Sequence, residues 1–370
     1  MSSPRPRVSG VAQTERPPAP SGSSAASGFQ TEGWIGRLVD GRYQIESLLG
    51  EGGMGAVFLA QHVKLAKKVA LKVILPQFAG DGELAERFAR EAMASAKLDH
   101  PHVASALDYG SFPEGGAYLV MPYVRGRSLR DAIESQIVSP SGGAGWRFAC
   151  EIGAQIADAL SAAHAQKIVH RDLKPENVIL EPREDGSELV KVLDFGVARV
   201  VSDDADGGHG AAGKALTRIG TIIGTPGYMA PEQALGESVD TRADLYALGV
   251  LLWEIIAREQ LFPEDDLTAI LTKQLTSEAP RLVTIVPDLP PELDEIVARL
   301  LARARDDRPQ RAGEVRDLLS RLALGATLER KMLSGEISVP FRVETPAPHA
   351  RTADSTGAQA AVGAAPTMHA

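Results

Sequence analysis

The hydrophobic pattern of this chain changes its period once. Between Tyr43 and Val124, short runs rich in β-branched residues (YQIESLLG, AVFLAQHV, KKVALKVIL, then AYLVMPYV) alternate with turns and are interrupted by one helical stretch at about 83–98. From Trp146 onward the apolar residues recur at helical spacing. Ile152, Ile156, Ala159, Leu160 and Ala163 trace one face, and further helices are predicted around 240–257, 265–276, 291–303 and 312–322. Strands first and helices afterwards predict an α+β chain. The continuous stretch from 34 to 323 is large for a single core, so it is expected to form two packed lobes, a β-rich first lobe with one key helix (about 34–124) and an α-helical second lobe (about 125–323). Residues 1–33 and 324–370 are rich in Pro, Ser, Gly, Ala and Thr; they read as a disordered arm and a mostly disordered tail.

Composition narrows the function classes. The 370 residues carry a formal net charge of −9, whereas a nucleic-acid binder presents the basic surface that counterion displacement requires. No nucleic-acid partner is expected. The one cysteine, Cys150, rules out internal disulfides and Cys-rich zinc sites, and reads as a helix core residue in a reducing compartment. The most apolar stretch, 246–257, is shorter than the ~20 residues a membrane span needs and contains Glu254, so it predicts a buried helix and no membrane span. The N-terminus lacks the apolar core of a secretory signal. The expected location is the cytoplasm.

Charge is concentrated in HRDLKPEN, residues 170–177, which is poor core material and good chemistry. A phosphoryl-transfer site needs an Asp to accept or orient a hydroxyl proton, a Lys to neutralise phosphate and an Asn oxygen for a metal ion, and Asp172, Lys174 and Asn177 supply these groups in order. Upstream, Gly50, Gly52 and Gly55 follow an apolar run ending at Leu49. Glycines at that spacing between two strands suit a flap over nucleotide phosphates. Lys72 is a cation inside the apolar strand VALKVIL and needs a counterion. At about 100° per residue, Leu84, Phe88, Glu91, Ser95 and Leu98 share one helix face, so Glu91 is the expected partner. Asp194, in VLDFGVA, ends a strand and can project a second metal-binding carboxylate beside Asn177.

Taken together these segments resemble the Hanks-type serine/threonine protein kinases, most similar to the eukaryotic-like kinases of bacteria, over about residues 43–323. The resemblance implies transfer of the γ-phosphoryl group of ATP to protein Ser and Thr hydroxyls, with Mg2+ as the metal and Mn2+ as an alternative. It places Leu49, Gly50, Gly52 and Gly55 at the nucleotide, Lys72 on its α- and β-phosphates and Glu91 as the residue that positions Lys72. Asp172 then acts on the acceptor hydroxyl, Lys174 on the γ-phosphate, and Asn177 and Asp194 on the metal. Met121 takes the gatekeeper position, the Pro122 carbonyl and the Val124 N–H face the adenine, and Val57, Ala70 and Ile179 form its apolar sandwich. Proline lacks the N–H and keeps the C=O, so Pro122 retains the acceptor.

LKPEN and GTPGYMAPE (224–232) resemble the Ser/Thr rather than the tyrosine class, with Thr225 contacting Asp172. Arg171 is placed to bind a phosphate on the activation loop, where Thr217 and Thr221 are the candidate autophosphorylation sites. Ser95 replaces a bulky apolar residue of many relatives, which implies a loosely anchored Glu91 helix. Asp244 and His170 are expected to brace the catalytic loop, and Arg308 to pair with Glu232. Expected partners are protein substrates, with phospho-threonine-binding proteins and a second copy docked through the first lobe as further candidates. The competing reading is a pseudokinase scaffold. Such proteins lack one of the three key positions, yet Lys72, Asp172 and Asp194 are all present.

Overall fold

The structure is a computed structural model that describes residues 33–52, 55–74, 92–93, 95–113, 115–137, 145–195, 226–264 and 266–333. The chain divides into two compact units, residues 1–325 and 326–370. All interactions below belong to the first unit; in the second, residues 326–333 are helical.

Six strands form the first sheet: β1 (Leu38–Val39), β2 (Tyr43–Gly52), β3 (Gly55–His62), β4 (Lys67–Ile74), β5 (Asp108–Ser111) and β6 (Ala117–Pro122). Their order is β1-β2-β3-β4-β6-β5, and every pairing is antiparallel. Period-two alternation decides what each face does. On β4, Val69, Leu71 and Val73 are buried in one core with Ile45, Phe58, Tyr118 and Val120. Ala70, Lys72 and Ile74 therefore take the other face. The register sets Val57 opposite Lys72, and Ala70 opposite Met121. A one-residue slip would drive Lys72 into the apolar core, so burial of the opposite face fixes where this ammonium emerges. Gly55 lets the start of β3 lie close against β4: its φ is 158°, and a Cβ there would sit 1.8 Å from the Val73 carbonyl oxygen.

The second lobe packs helices around α4 (Arg242–Ala257), which is buried along almost its whole length. This is the apolar stretch expected to be a buried helix. It contacts α2 (Gly145–Ala165) and α6 (Pro291–Leu300), and Gly249 lets α6 come close, since a Cβ there would lie 2.7 Å from the Leu300 side chain. Cys150 on α2 is fully buried, and burial pushes its thiol up to about 12. The remaining helices are α1 (Leu129–Ile137), α3 (Pro231–Ala234), α5 (Leu267–Thr276) and α7 (Ala312–Leu333). A small sheet of β7 (Arg127–Ser128), β8 (Val178–Pro182) and β9 (Glu188–Val192) carries the segment between Asn177 and Asp194.

The structure departs from the sequence reading at several elements, β5, β7, α1 and α7 among them. Strand β5 was not anticipated; only four residues long and polar in sequence (DYGS), it lacks an apolar alternation to read. Helix α7 runs on through the helix-forming residues ATLERKML, past the 323 boundary. Most of the helix expected at 83–98 lies outside the described residues, though 92–93 and 95–96 are helical and Ser95 and Leu98 are buried. Among the described residues no helix is long and apolar enough to cross a membrane.

Candidate active site

A single buried carboxylate shapes the catalytic loop. Asp244, in the first turn of α4, accepts the backbone N–H groups of His170 at 2.9 Å and Arg171 at 2.8 Å, and its Oδ2 lies 2.8 Å from His164 Nε2. Arg171 has a φ of 67°, in the left-handed region that side chains avoid. Both of its peptide groups are nonetheless held, because Gln233 Nε2 donates to the Arg171 carbonyl at 3.0 Å. Over-determination of this kind sustains strained backbone at functional sites. His170 Nδ1 accepts the Asp172 N–H at 3.3 Å, which leaves Nε2 to donate to the Leu193 carbonyl at 2.7 Å. The imidazole ring also meets Phe195 edge-on at 4.7 Å. His170 thus joins the segment carrying Asp172 to the one carrying Asp194 and Phe195.

Downstream the chain makes a 3-10 turn, Pro175–Asn177, that carries Asn177 back toward Asp172. The Asn177 amide nitrogen donates to the Asp172 carbonyl at 2.8 Å and to Asp172 Oδ2 at 3.2 Å, while Lys174 Nζ lies 3.0 Å from the same Oδ2. Of the three groups read from HRDLKPEN, Lys174 and Asn177 therefore both meet the Asp172 carboxylate. Asp194 has a φ of 60°, and its Oδ2 accepts from Lys72 Nζ at 2.7 Å. Burial alone would raise this carboxyl, but Lys72, with His170 and Lys174 adding, holds it below the usual carboxylate range. The other oxygen, Oδ1, is buried and has no hydrogen-bond partner among the described residues.

A buried, negatively charged and unpaired oxygen suits a cation. Asn177, whose NH2 is committed to Asp172, has its carbonyl oxygen as the remaining ligand group. Among the described residues no cluster of three or more His, Cys, Asp or Glu makes a self-sufficient metal cage. A two-residue site of this kind fits Mg2+, which keeps water and takes phosphate oxygens as its other ligands. On the first-lobe side, Val57, Ala70 and buried Met121 share the sheet face of Lys72, with Ile179 on β8 of the second lobe. Pro122 ends β6 and Val124 follows it. Leu49 is 45% exposed, Gly52 pairs with Gly55, and a Cβ on Gly50 would meet nothing within 4 Å among the described residues.

Glu91, Thr217, Thr221 and Thr225 lie outside the described residues. The structure does add a partner for Lys72 that the sequence reading did not name: Asp194, 122 positions away. It also reveals polar chains that local spacing gave no sign of. Arg130 Nε donates to Glu176 at 2.9 Å, Arg130 Nη2 to the Tyr228 hydroxyl at 2.6 Å, and that hydroxyl to Glu254 at 2.6 Å. Gln274 Nε2, buried on α5, donates to the carbonyls of Pro226, Gly227 and Met229 at 2.8, 3.0 and 3.2 Å. The expected Glu232–Arg308 pair is present, buried and bidentate at 2.7 and 2.8 Å.

Comparison with known proteins agrees with this geometry. The family model described as "Protein kinase domain" matches residues 43–319. The serine/threonine-protein kinase pkn3 of Myxococcus xanthus is 39% identical over 284 residues, covering 76% of this chain and 50% of that protein. The serine/threonine-protein kinase PknB of Mycolicibacterium smegmatis is 38% identical over 287 residues, covering 77% of this chain and 43% of that protein. The chain thus spans about half the length of these curated relatives. Among solved structures, the PknI kinase domain of Mycobacterium tuberculosis superposes with a TM-score of 0.58 at 30% identity, over 78% of this chain and 98% of that one. With its lobes, its catalytic loop and its Lys72–Asp194 contact assembled as described, this chain belongs to the protein kinase domain family.

Proposed function

We propose that this chain is an ATP-dependent serine/threonine protein kinase, with residues 34–323 as its kinase domain. The observation that carries the reading is the convergence of Asp172, Lys174 and Asn177 at one point, together with an Asp194 carboxylate that Lys72 keeps ionised. Mg2+ would supply neutralisation of phosphate charge when bound, held by Asn177 and Asp194. Asp172 orients the acceptor hydroxyl and takes its proton, and Lys174 donates to the phosphoryl oxygens. Lys72 holds the α- and β-phosphates, positioned by Glu91. The sheet face carrying Val57, Ala70 and Met121, with Ile179 opposite, takes the adenine, whose polar edge meets the Pro122 carbonyl and the Val124 N–H.

Regulation by autophosphorylation at Thr217 or Thr221, read by Arg171, completes the proposal, with Thr225 shaping the acceptor pocket. Protein substrates, phospho-threonine-binding proteins and a second copy docked through the first lobe are the proposed partners. A buried, unpaired Cys150 and the need for ATP favour a cytoplasmic setting. Radiolabel transfer from ATP onto the chain and onto a Ser/Thr-rich acceptor protein, compared with Asp172→Asn, tests the reading. Equal residual labelling by both proteins would favour the scaffold, and phosphate confined to residues outside 196–225 would refute the loop assignment.

A further inference from the structure

Glu176 sits between Pro175 and Asn177, in the turn whose amide touches Asp172, and its side chain is 47% exposed. A solvent-facing carboxylate beside the proton acceptor would draw a basic side chain of a docking protein. Here that carboxylate is already taken by Arg130, at 2.9 Å. Arg130 is more than a loose surface partner. Its Nη2 donates to the Tyr228 hydroxyl, which donates to Glu254 Oε2, and Glu254 Oε1 accepts the Leu261 N–H at 3.4 Å. Tyr228 and Glu254 are both buried, so the guanidinium is anchored at its inner end while its outer end covers Glu176. A side chain fixed by a second, buried hydrogen bond loses little further entropy in pairing, unlike most exposed ion pairs. The nearby Arg127 is occupied elsewhere, by Glu188 at 3.1 Å.

We propose that Arg130 is a specificity-determining residue: by neutralising Glu176 it removes selection for basic residues flanking the phosphorylated Ser or Thr of a protein acceptor. The proposal rests on the protein kinase reading above. An exposed ion pair is worth at most about fivefold in affinity, so unmasking Glu176 should produce a preference of about that size.

The test uses two fluorescein-labelled peptides that differ only in Arg against Ala beside the acceptor residue. Each is titrated by fluorescence anisotropy against the full chain and its Arg130→Gln, Glu176→Gln and doubly substituted variants. The affinity ratio, Arg peptide over Ala peptide, is expected to be about equal in the wild type, in Glu176→Gln and in the double variant, and about fivefold higher in Arg130→Gln. A ratio in Arg130→Gln that stays at the wild-type value overturns the proposal. So does a wild-type preference for the Arg peptide that Glu176→Gln abolishes. Should Arg130→Gln fail to fold, Glu176→Gln decides alone, an unchanged ratio supporting the proposal and a fall overturning it. Phosphorylation of the same peptides is followed in parallel. Absent turnover by the wild type would strike at the kinase reading, while the binding ratios still judge Arg130.

Discussion

Lys72 and Asp194 form a 2.7 Å ion pair that ties the strand-rich lobe to the segment following β9. Each group is less than one quarter exposed, so water screens the contact little. It links two residues that the proposed chemistry uses separately, one for phosphate and one for metal.

Replacing Lys72 with Met should lower the unfolding free energy at neutral pH by about 1.5–3 kcal/mol, the worth of a hydrogen bond between charged groups. Because the Asp194 pKa is depressed, its contribution is present above the ordinary carboxylate value and fades as the pH falls below it. Urea titrations of both proteins at neutral and at acid pH should therefore converge at the acid end. A deficit that does not change with pH would show that the pair does not govern Asp194. Phosphoryl transfer by Lys72→Met should be lost at both.

Asp172→Asn preserves size and hydrogen bonding but removes the proton acceptor. Its kcat should fall by roughly 100-fold or more, while ATP affinity, measured by calorimetry, stays near the wild-type value. Loss of nucleotide binding in step with kcat would assign Asp172 a different task.

Arg308→Met would strand Glu232 without its cation among buried neighbours. Breaking a buried pair from one side costs about 3–5 kcal/mol, which a thermal melt would read as a large drop in Tm. A shift no bigger than that of a surface substitution would mean that Glu232 relaxes into another partner.

Gln274→Leu deletes the three hydrogen bonds from the Gln274 amide to the Pro226–Met229 segment, leaving the Pro226 carbonyl only the Met229 N–H as donor, at 3.3 Å. At about 1 kcal/mol for each lost bond, partly recovered by relaxation, the KM for a protein acceptor should rise on the order of tenfold or more. The KM for ATP should not move. Parallel changes in both constants would point to general destabilisation of the lobe.

Much of this architecture was legible before coordinates, because periodicity is a local signal. The strands 43–52, 55–62 and 67–74 and the helices from Gly145 onward were readable from alternation and from the helical apolar stripe. The catalytic loop was readable because its charges are adjacent in sequence. What escaped the sequence reading was of another kind. β7 and β5 are too short to show a period, and in the chain Glu176–Arg130–Tyr228–Glu254 the contacting pair Arg130 and Tyr228 is 98 positions apart, so no spacing rule connects them. Buried polar chains follow from how helices pack, which local patterning does not encode. The Lys72–Asp194 contact escaped for the same reason: the strand advertises that a counterion is needed but does not say which carboxylate supplies it.

Asp244 grips the His170 and Arg171 amides from within the most deeply buried helix of the second lobe. Amide exchange at these two positions should thus be governed by opening of the whole lobe and not by loop fraying. The catalytic segment would then be as slow to exchange with deuterium as the hydrophobic centre itself. A loop held this way keeps its shape between turnovers of the proposed reaction.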